Sequence, residues 1–329
     1  MISEIPFRAK GIELMNKLGT TSTPFLFVID YKMENSVIIP LQQIDNTVLC
    51  FEINGTRNFE PSAQSITPPF QFSKHPVSRD IYQRGFDIVM KNLRLGNSFL
   101  TNLTFTTPIH SNLNLKDFFM NSKAPYKLWI NEKFAVYSPE KFVIIHDNVI
   151  RSFPMKGTID ATLENAEQII LHDEKEMAEH YTIVDLIRND LSLVAKKVRV
   201  ERFRYFDTIN TNQKTLLQVS SEIAGDLEPD WQNEIGTIFS KLLPAGSITG
   251  APKKKTIDII QEAESEPRGY YTGVFGIFDG KNLDSAVMIR FVEERGGSLF
   301  YHSGGGITVN SICEHEYQEM IEKVYVPIN

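Results

Sequence analysis

The chain has 329 residues, 42% hydrophobic and 23% charged, which is the composition of a soluble globule with one large domain or two. A formal net charge of −7, with no basic run longer than Lys253-Lys254-Lys255, excludes nucleic acid as a main partner. No apolar run approaches the roughly 18 residues of a membrane span. The N-terminus has no basic segment followed by an apolar core, and the two cysteines form no CxxC, so a reduced, cytoplasmic chain is expected.

Residues 8–18 read as a short helix, and 25–30, 37–40 and 48–53 as apolar strands. Pro61 to Pro76, with Ser62, Ser65, Pro68 and Pro69 between them, reads as a long loop. Ile81, Phe86, Ile88, Val89 and Leu93 give 80–95 a helical period, stopped by Gly96-Asn97. A strand is expected over 99–107 and a short helix around Phe118-Phe119. Three strands follow at 126–130, 134–137 and 142–145, with strand character running on to Ile150. The octapeptide Arg151–Thr158 then reads as a turn holding Lys156 between Pro154 and Gly157, before helices at 162–170 and 174–196. Beyond it come a strand at 215–224, helices at 231–242 and 256–264, strands at 272–278, 285–293 and 298–302, and a last helix after Cys313. Strands in runs with helices clustered between them predict an α+β fold with mostly antiparallel sheets. Gly246–Lys253 lacks the spacing of a phosphate-binding loop, and Gly304-Gly305-Gly306 does not extend to GxGxxG.

Several stretches could carry chemistry. A free lysine has a pKa of about 10.4, so Lys156 could act as a nucleophile only if its surroundings favoured the neutral amine; otherwise it is a solvated turn lysine. Glu176 and Glu179, and Glu316 and Glu319, stand at i, i+3 on two expected helices, which puts each pair on one face. One carboxylate from each helix would suit Mg²⁺, a hard cation that takes oxygen ligands; solvated helix faces would also explain them. His180, close to the first pair, is expected as a packing histidine. Arg290, at the end of the apolar run Ser285–Arg290, could take a carboxylate bidentately or an internal glutamate. The three glycines at 304–306 could turn backbone N–H groups onto an anion as a nest, or form a tight turn. Lys323 follows Glu319 by four residues, as an ion pair or as a second cation facing the same site. A small substrate with two carboxylates would fit this inventory.

The same stretches, in this order, resemble the chorismate-binding enzymes, the family of anthranilate synthase, aminodeoxychorismate synthase, and isochorismate and salicylate synthases. The strings are Tyr137–Glu140, Pro154–Thr158, Lys175–His180 running into Ile183–Leu191, Pro244–Lys253, Arg268–Gly273, Ala286–Arg290, and Gly304–Ile307 through Glu316–Glu319. The resemblance implies two large, mostly antiparallel sheets packed together, helices outside and the active site between the layers. It assigns 76–329 to the chorismate-binding region and 1–75 to a shortened N-terminal β-rich region packed on the same fold. Lysine at position 156, where anthranilate synthases usually carry alanine, implies a likeness to aminodeoxychorismate synthase component I. In that chemistry the lysine attacks C2 of chorismate and ammonia then adds at C4, giving 4-amino-4-deoxychorismate, the precursor of 4-aminobenzoate and folate. Glu140 matches the general acid. Glu179 and Glu319 match the Mg²⁺ ligands, with Glu176 and Glu316 behind them. Ser247, Tyr271, Arg290, Gly304, Gly305, Gly306 and Lys323 match substrate-binding positions.

The chain also departs from the family. Leu100 stands where water-adding members carry a basic lysine, which argues against an isochorismate or salicylate synthase. Gln218 replaces a histidine; it can hydrogen-bond substrate but cannot shuttle a proton. No Leu-Leu-Glu-Ser string is present, so tryptophan feedback is not expected. No cysteine elbow of a glutaminase surrounds Cys50 or Cys313, so ammonia is expected from a separate glutamine amidotransferase subunit or from solution. Two alternatives stand beside this reading: anthranilate synthase component I activity, and a chorismate-binding or amidotransferase-docking protein without turnover.

Overall fold

The computed structural model describes residues 2–61, 70–210 and 215–326. Its strands form two sheets in which every pairing among the described residues is antiparallel. The first, 10-stranded sheet centres on Phe25–Ile29, Val274–Phe278, Leu283–Val287 and Lys141–His146, and ends in Val149–Ser152, Thr215–Asp226 and Met155–Asp160. The second, 9-stranded sheet is built on Leu100–Ser111, Ser298–Ile307, Phe291–Arg295, Phe134–Ser138, Tyr126–Ile130 and Leu49–Ile53. Strands from the first 60 residues enter both sheets.

The apolar runs account for this layering. Leu26, Val28, Phe275 and Ile277 of the first sheet meet Phe51, Leu128, Val136 and Phe291 of the second in one buried cluster between the layers. Strands buried on both faces read as continuous apolar runs, as 25–29 and 274–278 do. The outer face of the first sheet is covered by Ile12–Thr20, Glu174–Ser192 and Ile235–Leu242. That of the second is covered by Arg79–Arg94, Lys253–Ala263 and Cys313–Glu322. The helix expected over 80–95 runs from Arg79 to Arg94, with the Ser78 hydroxyl accepting from Ile81 N–H as its N-cap.

Local geometry differs from the sequence reading at several points. The strand character over 143–150 belongs to a hairpin, Lys141–His146 and Val149–Ser152, turned by Asp147 and Asn148 at φ +50° and +61°. The octapeptide is no turn before a helix: Met155–Asp160 is a strand, and the next helix is Ala166–His172. The helix expected over 174–196 stops at Ser192, and Lys196–Asn210 is a strand the sequence reading missed. The expected strand 285–293 is two strands, one in each sheet, with the chain crossing between them at Met288–Arg290. Arg290 therefore lies at a crossover, at φ +53°, and not inside a strand. The three glycines form neither nest nor turn. They continue Ser298–Ile307 in register with Thr104, Leu103 and Asn102, and none has a positive φ. Of the loop expected over 61–76, residues 62–69 lie outside the described residues, and Phe72–Lys74 pairs with Leu100–Ser111.

Candidate active site

A cavity of about 690 Å³ opens where the free edge of the glycine strand faces Met155–Asp160 and the two glutamate-bearing helices. Its walls hold every candidate site residue: Lys156, Glu140, Ser247, Tyr271, Arg290, Gly304, Gly305, Gly306, Lys323, Gln218 and the four glutamates.

Lys156 is aimed by a bulge. Met155 pairs with Ser220 and Thr158 with Gln218, so Lys156 and Gly157 together oppose Val219. Gly157 takes φ +79°, which a residue with a Cβ adopts only with strain. The turned-out lysine brings Nζ to 3.2 Å from Glu179 Oε2. A Cβ on Gly157 would stand 3.2 Å from Glu176 Oε2, so the second carboxylate of this helix flanks the same bulge.

The other helix supplies the facing wall. Lys323, at its C-terminal end, donates from Nζ to Glu319 Oε1 at 2.6 Å and to the Gly304 carbonyl at 3.0 Å. The glycines keep this space open. A Cβ on Gly305 would lie 3.6 Å from both Glu316 Oε2 and Glu319 Oε1, and one on Gly306 would lie 3.5 Å from Lys156 Nζ.

Glu140 follows strand Phe134–Ser138, just before the chain enters the other sheet. Its backbone N–H donates to Ser138 Oγ at 3.1 Å, and its carbonyl accepts from Val287 N–H at 3.1 Å. The side chain accepts from Ser247 Oγ at 2.8 Å. Burial pushes the Glu140 carboxyl above its usual range, against the pull of Ser247, Lys156, Lys323 and Arg290. The desolvation outweighs three cations from three separate segments, so this half-buried carboxyl keeps its proton to higher pH than an exposed glutamate.

Arg290 reaches the Lys323 carbonyl at 3.3 Å and lies 4.8 Å over the Tyr325 ring. Tyr271 is buried beside it, and burial pushes its phenol up. Two non-glycine residues, Thr272 at φ +61° and Arg290 at φ +53°, hold left-handed backbone at this end of the cavity. Such strain persists where surrounding bonds over-determine it. Thr272 N–H donates to Met288 O at 2.8 Å, and Arg290 O accepts from Tyr137 N–H at 3.1 Å. Beneath them the buried Arg268 guanidinium binds Glu264 at 2.6 Å, Asn102 O at 2.6 Å and Ile248 O at 2.8 Å. This clamp ties the Ser247 loop to the glycine-side sheet.

His302 is a wall residue the sequence reading missed. Its Nε2 meets Glu293 Oε2 at 2.8 Å, and its ring packs on Tyr271 with centroids 5.0 Å apart. Burial acts upward on Glu293, but hydrogen bonds from His302 and Arg295 outweigh it and leave this carboxylate at about 2. The period-2 register of the glycine strand was the available signal: 302, 304 and 306 share a face. His180 does not line the cavity. It is buried, with Nε2 2.7 Å from Ser221 Oγ, and burial, then Arg204 and Lys156, hold it down at about 4, so it stays neutral.

The four glutamates offer hard oxygen donors of the kind Mg²⁺ takes, on two helices around one cavity. Glu179 and Glu319 each face a lysine Nζ, and among the described residues no three His, Cys, Asp or Glu side chains gather tightly enough to hold a metal by themselves. A Mg²⁺ ion held here would need substrate oxygens and water to complete its shell.

Over residues 32–329 the sequence matches the family described as chorismate binding enzyme. The chain belongs to that family. It is 53% identical over 317 residues to an uncharacterized PabA-like protein of Haemophilus influenzae, covering 96% of each chain. It is 29% identical over 265 residues to aminodeoxychorismate synthase component 1 of Bacillus subtilis, spanning 76% of this chain but only 55% of that one. Among solved structures, anthranilate synthase component I from Streptococcus pneumoniae superposes with a TM-score of 0.65 at 26% identity, over 78% of this chain and 58% of that one. The menaquinone-specific isochorismate synthase MenF of Escherichia coli superposes with a TM-score of 0.74 at 15% identity, over 98% and 82%, a likeness of fold alone. Among the described residues no helix of this family member is long and apolar enough to cross a membrane.

Proposed function

We propose that the protein aminates chorismate at C4, as an aminodeoxychorismate synthase component I, with ammonia supplied by a glutamine amidotransferase partner. The observation that carries this reading is Lys156: its amine is turned by the bulge into a cavity shared with the half-buried acid Glu140. The name of the Bacillus subtilis relative supports it.

The chemistry closes on these two residues. The neutral Lys156 amine bonds to C2 of chorismate, the ring double bonds shift, and the C4–O bond breaks. Glu140 gives its proton to the departing hydroxyl, which leaves as water. The lysine nitrogen now carries a positive charge and Glu140 a negative one. Ammonia bonds to C4, the double bonds shift back, and the C2–N bond breaks, returning the neutral lysine. Glu140 takes the proton that the new ammonium group loses. The balance is chorismate plus ammonia to 4-amino-4-deoxychorismate plus water. Arg290, Tyr271 and Lys323 bind substrate carboxylates, and Ser247 and Gln218 hydrogen-bond at its edge. When bound, Mg²⁺ would be held by Glu179 and Glu319, with Glu176 and Glu316 behind them, and would supply positive charge to the ring carboxylate.

The test is to incubate the protein with chorismate, Mg²⁺ and ammonium, add an aminodeoxychorismate lyase, and separate 4-aminobenzoate from anthranilate. The expected product is 4-aminobenzoate, lost in Lys156→Ala. Without ammonium, intact-protein mass should rise by chorismate less water. Anthranilate alone would overturn the assignment, and a wild-type rate from K156A would overturn the covalent route.

A further inference from the structure

Behind the Tyr271 wall of the cavity, a chain of paired charges runs out to the surface. Phe291, Glu293 and Arg295 stand two apart on one strand and share a face of the sheet. His302 pairs directly with Phe291 on the neighbouring strand, so it lies on that face, with Glu293 as its diagonal neighbour. The contacts follow this register. His302 Nε2 meets Glu293 Oε2 at 2.8 Å, the same oxygen accepts from Arg295 Nη2 at 2.8 Å, and Arg295 Nη1 donates to Glu266 Oε2 at 2.7 Å. Side-chain exposure climbs along the chain from 3% at His302 to 48% at Glu266. Against the upward push of burial, the bonds from His302 and Arg295 hold Glu293 ionised at about 2. An ionised carboxylate only accepts, so Nε2 carries the hydrogen, which fixes the tautomer and the way the ring faces.

The His302 ring in turn lies on Tyr271, tilted by 37° with centroids 5.0 Å apart, and meets Phe291 edge-on at 5.3 Å and 88°. A phenol that meets a substrate carboxylate needs a fixed ring plane as well as a fixed backbone. The backbone is held by Tyr271 N–H, which donates to Arg268 O at 3.0 Å. The ring is held by its two aromatic neighbours, Phe291 and His302. Of these two, His302 carries the polar anchor. We propose that His302, oriented by Glu293, is a positioning residue that fixes the Tyr271 phenol for the chorismate carboxylate, an inference that rests on the substrate-binding role given to Tyr271 above. Among the described residues Glu293 and Arg295 do not line the cavity, so they act on bound substrate through His302. A contact of this kind holds substrate and transition state alike, so its loss raises KM and leaves kcat.

The deciding variant is Glu293→Ala, outside the cavity. Chorismate binding is measured by calorimetry with Mg²⁺ in a Lys156→Ala background, where no adduct forms, and well below each variant's melting temperature. The Kd should rise about tenfold, the equivalent of one hydrogen bond to a charged group. With Lys156 restored, the KM for chorismate should rise by the same factor while kcat and the KM for ammonium hold. Glu293→Gln keeps an acceptor for Nε2–H and should restore binding. His302→Ala should match E293A, and the double variant should bind no more weakly than H302A alone, because both changes break one chain. If H302A does not fold, E293A against E293Q carries the test. An E293A protein with the wild-type Kd, a fall in kcat at unchanged KM, or losses that add in the double variant would overturn the positioning role. Anthranilate as product with the binding results as expected would overturn the amination reading and leave this one standing.

Discussion

The three consecutive glycines predict three different outcomes for one added methyl. On Gly304 a Cβ would stand 2.2 Å from the Leu103 carbonyl oxygen and 2.7 Å from Thr104 Cα, both backbone atoms of the paired strand. Nothing there can rotate away, so the strands must part by about 1 Å. Overpacking of this kind costs about 1–3 kcal/mol, and a backbone obstacle puts Gly304→Ala at or above the upper end. On Gly306 the nearest atom is Leu100 Cδ1 at 3.1 Å, the tip of a side chain that can shift by a few tenths of an ångström. Gly306→Ala should therefore melt close to wild type, within the ~0.5 kcal/mol typical of benign substitutions. Its methyl, however, lies 3.5 Å from Lys156 Nζ, in the cavity that both residues line. A displacement of about 1 Å in a reacting pair costs on the order of 100-fold, or ~2.7 kcal/mol of barrier, so kcat/KM should fall by about that factor. Gly305→Ala meets only ordinary contacts at 3.6–3.7 Å, and should fold while crowding the carboxylates. Thermal melting read beside the lyase-coupled assay separates the cases. If G304A melts with wild type, or G306A keeps wild-type kcat/KM, the strand-edge geometry argued for this site is wrong.

Other perturbations follow from the same geometry. Ser247→Ala removes a bond that holds the Glu140 pKa down. As a general acid Glu140 must be protonated, so the high-pH limb of kcat should move to higher pH; a downward shift would refute that role. Glu140→Gln should abolish amination yet raise the melting temperature at pH 8. Burial sets the folded pKa above the unfolded value, so the stability this carboxyl contributes at acid pH is lost as pH rises through the folded pKa; a lower melt for E140Q at pH 8 would contradict this. Glu264→Ala strands the Arg268 guanidinium, whose pair is almost fully buried with side-chain exposures of 2% and 5%, and should cost about 3–5 kcal/mol in denaturant unfolding. EDTA should abolish turnover and Mg²⁺ restore it, with Glu319→Gln raising the half-saturating Mg²⁺ by about tenfold or more. Full activity in EDTA would remove the metal from the proposal.

Periodicity and composition carried much of the fold. The apolar alternations and the helical spacing of Ile81, Phe86, Val89 and Leu93 each specify an element whose buried face is written locally. The sequence reading missed Lys196–Asn210 because three register shifts break its alternation and no glycine or proline marks where the preceding helix ends. It ran 285–293 together because both halves are apolar, and only the packing of two sheets forces the chain across at Arg290. The site divides in the same way. By itself the sequence determined the inventory of lysines, glutamates, arginine and glycines, and the i, i+3 spacing of the acids, because helix and strand periods are local properties. Only the tertiary structure decided that Lys156 leaves its strand through a bulge, that Glu140 is half-buried among three cations, that the glycines lie extended, and that His302 joins the wall. Those depend on register and burial between segments up to about 180 positions apart in a 329-residue chain, such as Glu140 and Lys323. No local pattern encodes such distances, and the pKa of a buried carboxyl follows from the charges around it.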